Sequence, residues 1–416
     1  MTPERKQQWS WAFYDWANSA FATTVLVGLF PILFNQYYAK GVEPTTATFY
    51  LGAFGNSLPS FIVMLMAPWL GVIADQRGIK KPLLALFTMI GCAGTAGLMF
   101  VGEGQWGWAI ALFAIAAVGF FGGLSFNDAL LVNVAREEER DRVSALGYGL
   151  GYLGGGLLFV VNVLMVTKPA LFGLANAAEA GKWAFVSVAV WWALFSLPMF
   201  LNVKEPPPQT QGAMGWSALW ATVKQIKNHK PVYLFLLAYW LYIDAVGTVA
   251  NMAVDFGIKL GFASDSLIKA LLIVQFVSFP AAIVFGRIGE RFGAKRGLYL
   301  GISVYIGVTI WALAMKTEKD FYLMATAVGL VQGGVQSLSR SYFASLIPKQ
   351  SAGQFFGFYN MLGKFAAVLG PLVVGSVAAI TGNPNQAVFA LIFFFIAGMV
   401  LLSRVRPELP AKGLES

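Results

Sequence analysis

Histidine and cysteine are almost absent from this chain: one of each, His229 and Cys92, stand in 416 residues. A lone cysteine forms no intrachain disulfide and no zinc pair, and a lone histidine excludes a two-histidine metal site. An imidazole relay is excluded too, so any proton coupling must use carboxylates. Charge is scarce: Asp, Glu, Lys and Arg make up 12% of the residues, against roughly 25% in a soluble domain. Much of the surface must therefore face something other than water. There is no GxxxxGK[ST] phosphate loop, so ATP-driven transport by this chain alone is not expected, and no other enzyme signature stands out. No cofactor or metal is expected. The alternating strands of a membrane β-barrel are also missing.

What is abundant is apolar: 57% hydrophobic residues and a mean hydropathy of +0.66. Apolar stretches of roughly 18 to 25 residues recur, each long enough to cross about 30 Å of hydrocarbon. They predict spans at 11–39, 48–75, 82–101, 107–133, 143–167, 183–203, 231–259, 266–289, 297–316, 321–347, 353–380 and 385–404. The expected fold class is an all-α polytopic membrane protein of twelve transmembrane helices in two six-helix halves, 1–203 and 231–416, joined by a linker at 204–230. The net charge of +9 does not point to nucleic acid, because Lys and Arg concentrate in alternate loops. That asymmetry places both termini in the cytoplasm of a multi-pass cell-membrane protein. The N-terminus lacks a small-residue cleavage site and reads as an uncleaved first span. In the linker, Trp216, Leu219, Trp220, Val223 and Ile226 recur at helical spacing beside Lys224 and Lys227. This is a helix lying on the membrane surface or docked on the protein.

One pattern occurs twice. GVIADQRGIKK holds Gly71, Asp75, Gly78, Lys80 and Lys81; GRIGERFGAKR holds Gly286, Glu290, Arg291, Gly293, Lys295 and Arg296. A charged hairpin repeated between membrane-length helices implies two similar halves, a plan common among secondary transporters. Gly122-Gly123 and Gly333-Gly334 repeat in the same register, as do Gly147-Tyr148 and Gly357-Phe358.

Polar residues inside spans are costly and are the functional candidates. Asp15 and Asn18 share a face of the first span; Asn127, Asp128 and Asn133 lie in the fourth; Asp244, Asn251 and Asp255 follow along the seventh. Gln332, Gln336 and Arg340 form a stripe down the tenth, and Asn360 and Lys364 sit one turn apart on the eleventh. For each amide the bland alternative is an interhelical hydrogen bond, and for each charge a static ion pair. Depth arithmetic at 1.5 Å per residue puts Asp15, Asp128 and Arg340 in a layer toward the cytoplasmic side and Asp244 and Lys364 near mid-membrane. The run GYGLGYLGGG from Gly147 to Gly156 reads as close helix packing.

The two hairpins resemble the loops between spans two and three, and eight and nine, of the major facilitator superfamily. Gly71, Asp75, Gly78 and Lys80 match its pattern in the first copy and Gly286, Glu290, Arg291, Gly293 and Lys295 in the second, with Gln76 and Ile79 departing from it. FYDWANSAFATTV, RVSALGYGLGYLGGG and FGFYNMLGKFAAVLGP resemble the autophagy-linked vacuole effluxer family and its bacterial relatives. That resemblance implies a transporter working by alternating access, with amino acids as the implied substrate.

 Its best-known members release amino acids from the fungal vacuole, so an amino-acid effluxer is expected. In that fold spans one, four, seven and ten line the cavity, two, five, eight and eleven flank it as gates, and Asp75 pairs across to a neighbouring gate helix. Spans seven and eleven lie close together there, so Asp244 and Lys364 are expected to pair or to share a hydrated cavity. The expected partners are a small-molecule substrate, the lipid bilayer and a coupled proton or other ion, with the chain a monomer. A drug or lipid exporter of the same fold, or a non-transporting membrane sensor or structural protein, are the rival readings.

Overall fold

The computed structural model describes residues 1–208, 216–259, 262–381 and 384–406. They are all-helical, with no strand among them. The first half holds α1 (Pro3–Tyr38), α2 (Pro44–Arg77), α3 (Lys80–Phe100), α4 (Trp106–Val134), α5 (Glu137–Thr167) and α6 (Ala177–Asn202). A short linker helix, α7 (Trp216–Asn228), follows. The second half holds α8 (Lys230–Lys259), α9 (Ser264–Phe292), α10 (Ala294–Ala312), α11 (Glu318–Leu346), α12 (Ala352–Thr381) and α13 (Pro384–Arg404). Among the described residues, eight helices are long and apolar enough to cross a membrane by length and composition alone. The side chains of Trp216, Asn251 and Asp255 lie outside the described residues.

Capping explains where the helices exceed the predicted spans. α1 begins at Pro3, not at residue 11, because the Thr2 hydroxyl accepts the Arg5 N–H at 3.3 Å and proline suits the first turn. α2 begins at Pro44 because the Glu43 carboxylate accepts the N–H groups of Thr45 and Thr46 at 3.1 and 2.8 Å. These turns stand beyond the apolar stretch, where backbone donors need a partner that hydrophobicity does not signal.

The halves meet along α2 with α12, α5 with α9 and α11, and α4 with α12. Two of these crossings are glycine contacts. A Cβ on Gly71 would lie 2.3 Å from the Gly353 carbonyl oxygen, and one on Gly286 would lie 2.5 Å from the Ala145 Cβ. Only glycine lets the backbones come so near. Both crossings lie at the end of the bundle that carries the repeated hairpins, called here the hairpin end. The glycine run of α5 packs on α1 as expected: Gly151 and Gly155 face Ser19, and Gly154 faces Trp16.

Candidate functional site

Each hairpin lies at one of the two crossings. Asp75, at the end of α2, accepts the Gly353 and Gln354 N–H groups at 3.0 and 2.9 Å. These are unpaired donors of the first turn of α12, where a carboxylate also meets the positive end of the helix dipole. Lys80 Nζ lies 2.7 Å from the same carboxylate, and both side chains are buried. Glu205, just after α6, accepts the Lys80 and Lys81 N–H groups at 2.8 and 2.7 Å and so caps α3. Burial pushes the Glu205 carboxyl above its ordinary range, while the two backbone bonds pull it back. The linker helix joins this cluster: the Thr222 hydroxyl donates to Gln354 Oε1.

The second hairpin is looser and its register differs from the one read in the sequence. Glu290 is exposed and pairs with Arg142 of α5 at 3.6 Å, and Arg291 lies over the Phe292 ring. Lys295 Nζ donates to the carbonyls of Ser403 and Val405 at 3.0 and 2.7 Å. In the first half that task, a bond to the Val203 carbonyl, falls to Lys81 and not to Lys80. The reason is a residue of chain. Gly78 ends α2 at φ 63° and Ile79 precedes α3, whereas α10 starts directly after Gly293 at φ 89°. Lys80 therefore has buried Ala294 as its counterpart, and the second copy has no equivalent of the Asp75–Lys80 pair.

Deeper in, Arg340 of α11 crosses to the first half. Its Nε donates to Ser144 Oγ at 3.0 Å, Nη1 to Asp15 Oδ2 at 3.1 Å and Asp128 Oδ1 at 3.0 Å, and Nη2 to Asp15 Oδ2 at 3.0 Å and the Ser144 carbonyl at 2.9 Å. A guanidinium has five N–H donors, and all are engaged. The Trp11 and Tyr148 rings lie 4.6 and 4.2 Å from its carbon. Gly147 makes the space, since a Cβ there would lie 2.4 Å from Asp15 Oδ2. Asn127 donates to Asp15 Oδ1 at 2.9 Å, and Asn360 of α12 to Asp128 Oδ2 at 3.0 Å. One network thus joins α1, α4 and α5 to α11 and α12.

Above it lies a cavity of about 470 Å³ between the halves. Of the residues singled out in the sequence, Asp15, Asn18, Gln332, Gln336 and Arg340 line it; Asn127, Asp128, Asp244, Asn360 and Lys364 do not. Asn133 is exposed at the hairpin end. Among the described contacts, no ion pair joins Asp244 to Lys364. Asp244 is buried in α8, while Lys364 Nζ points into the first half, 3.3 Å from the centre of the Phe121 ring. Lys364 reaches α4 because α12 packs on α4 as well as on α8. Tyr152, Thr23 and Gln275 were missed. Tyr152 donates to Gln336 Oε1 at 2.6 Å, and Gln275 Nε2 donates to Thr23 Oγ1 at 2.6 Å. The spacing of Tyr148 and Tyr152, one turn apart on α5, was the signal available. Asn18 Nδ2 and Gln275 Oε1 are buried at the cavity without a hydrogen-bond partner among the described residues.

Known proteins share this architecture. The human organic anion transporter MFSD10 (TETRAN) superposes with a TM-score of 0.79 over 97% of this chain and all of its own, at 16% identity, a likeness of fold alone. In sequence, the MFS-type transporter YxiO of Bacillus subtilis (strain 168), itself uncharacterized, is 39% identical over 97% of this chain and 95% of its own length. Autophagy-related protein 22 of Yarrowia lipolytica is 25% identical over 73% of this chain and 57% of its own. Residues 3–140 and 131–409 match the vacuole effluxer Atg22-like family. With that match across nearly its whole length, the chain belongs to the vacuole effluxer Atg22-like family and is a multi-pass membrane transporter of the major facilitator superfamily.

Proposed function

We propose that this transporter exports amino acids or similar small polar metabolites, by alternating access of its two halves to a site in the cavity above Arg340. We take the hairpin end as the cytoplasmic one, the side that the Lys and Arg asymmetry favours. The observation that carries this reading is the position of the cavity: both halves line it, and an inter-half network built on one guanidinium forms its floor. Because all five donors of Arg340 are engaged, Arg340 acts as a lock in this state and leaves recognition to neutral groups. Asn18, Thr23, Tyr152, Gln275, Gln332 and Gln336 supply donors and acceptors suited to a small polar solute. The hairpins act as gates, with Asp75 holding α12 against α2 while the cytoplasmic side is shut.

The cavity walls favour a second reading. Leu267, Leu271, Val274, Met324 and Val328 make them largely apolar, which suits an amino acid with an apolar side chain or a drug-like solute. Counterflow of labelled amino acids in proteoliposomes tests the first reading. Exchange is expected with at least part of the panel and is lost in Gln336→Leu. A panel without counterflow, with exchange of apolar amphiphiles instead, transfers the function to the second reading.

A further inference from the structure

The charges of the central network are divided between the halves. Its acids, Asp15 and Asp128, stand on α1 and α4; its cations, Arg340 and Lys364, stand on α11 and α12. If the halves part at the hairpin end, the acids lose their cations, but they do not lose equally. Asp15 keeps one oxygen bonded within its own half, to Asn127 at 2.9 Å. Both oxygens of Asp128 are held from the other half, Oδ1 by Arg340 and Oδ2 by Asn360, each at 3.0 Å. Parting therefore strips Asp128 of both these bonds.

We propose that Asp128 is the proton-binding residue of this transporter, and that a proton and Arg340 compete for its carboxylate. The inference deepens the reading above and rests on it, since it takes the two halves as moving parts. A protonated Asp128 is neutral and no longer forms an ion pair with Arg340, so proton binding and closure of the hairpin end oppose each other. Linkage makes the effect reciprocal: acid favours the open hairpin end, and opening favours proton uptake. The charged and titratable groups that face Asp128 are Asp15 on α1, Tyr148 on α5, Tyr239 on α8, Arg340 on α11 and Lys364 on α12. Among these, Asp15 is the other carboxylate, and its bond to Asn127 is why the proton is assigned to Asp128.

The test needs no substrate. Glu138 and Lys349 are exposed at the hairpin end, one on each half. Spin labels at Glu138→Cys and Lys349→Cys, in a Cys92→Ala background reconstituted in nanodiscs, report their separation by double electron–electron resonance. Between about pH 8 and about pH 5.5 the ratio of long to short distances should rise by up to about tenfold per pH unit, the limit for one exchanged proton. Asp128→Asn should show the long distance at both pH values and lose the response. Asp15→Asn and Asn360→Ala, which leave the Asp128 carboxylate in place, should keep it. A parent that does not respond to pH, or an Asp128→Asn variant that titrates like the parent, overturns the assignment. Arg340→Ala tests the underlying reading separately. If it lengthens the distance while the parent ignores pH, only the proton assignment fails; if no variant lengthens it, the moving halves fail too.

Discussion

Replacing Asp75 with asparagine should loosen the hairpin end by an amount the geometry allows one to work out. The carboxylate holds two N–H groups of α12 and the Lys80 ammonium at 2.7 to 3.0 Å. Asparagine keeps one accepting oxygen and turns an NH2 toward a backbone N–H, so one bond is lost and Lys80 loses its counter-charge. A hydrogen bond to a charged group contributes about 1.5–3 kcal/mol, and a charge at a helix N-terminus about 1 kcal/mol. The closed arrangement therefore loses about 2.5–4 kcal/mol, or roughly 70- to 900-fold in its opening equilibrium. Hydrogen exchange reads this directly, because the Gly353 and Gln354 amides are the donors held by Asp75. Their exchange should accelerate by that factor in Asp75→Asn. Glu290→Gln should change exchange at the start of α5 by less than about fivefold, since its pair is partly exposed and such pairs contribute about 1 kcal/mol or less. Wild-type exchange at Gly353 and Gln354 in Asp75→Asn would refute the role given to this carboxylate.

Gly71→Ala should lower the thermal midpoint in detergent, because its Cβ would sit 2.3 Å from the Gly353 oxygen. Gly307→Ala, with nothing within 4 Å, should hold or raise it through better helix propensity. Equal shifts in the two variants would show that α2 and α12 do not pack as described. Arg340→Lys should counterflow no better than Arg340→Ala, as an ammonium cannot reproduce five planar bonds; recovery of wild-type flux would show that charge alone suffices. A double-mutant cycle on Asp244→Leu and Lys364→Met should give a coupling energy below about 0.5 kcal/mol, and a value above about 1.5 kcal/mol would mean that the two side chains do meet.

Composition and periodicity carried the membrane class, the span positions and the repeat, because hydrocarbon demands long apolar helices whatever their neighbours are. The charge layer of Asp15, Asp128 and Arg340 was also legible, since depth along a helix follows from its rise per residue. Rotation about the helix axis and contacts across the bundle do not follow from it. Tertiary packing turned Lys364 toward Phe121, and it moved the match of Lys295 from Lys80 to Lys81 because α3 starts one residue further past its glycine than α10 does. Packing likewise placed Tyr152 and Gln275 on the cavity, and it gave Asp15 a partner in its own half while both bonds to Asp128 came from the other. A single helix determines which residues share a face and a depth; only the assembled bundle determines what that face meets.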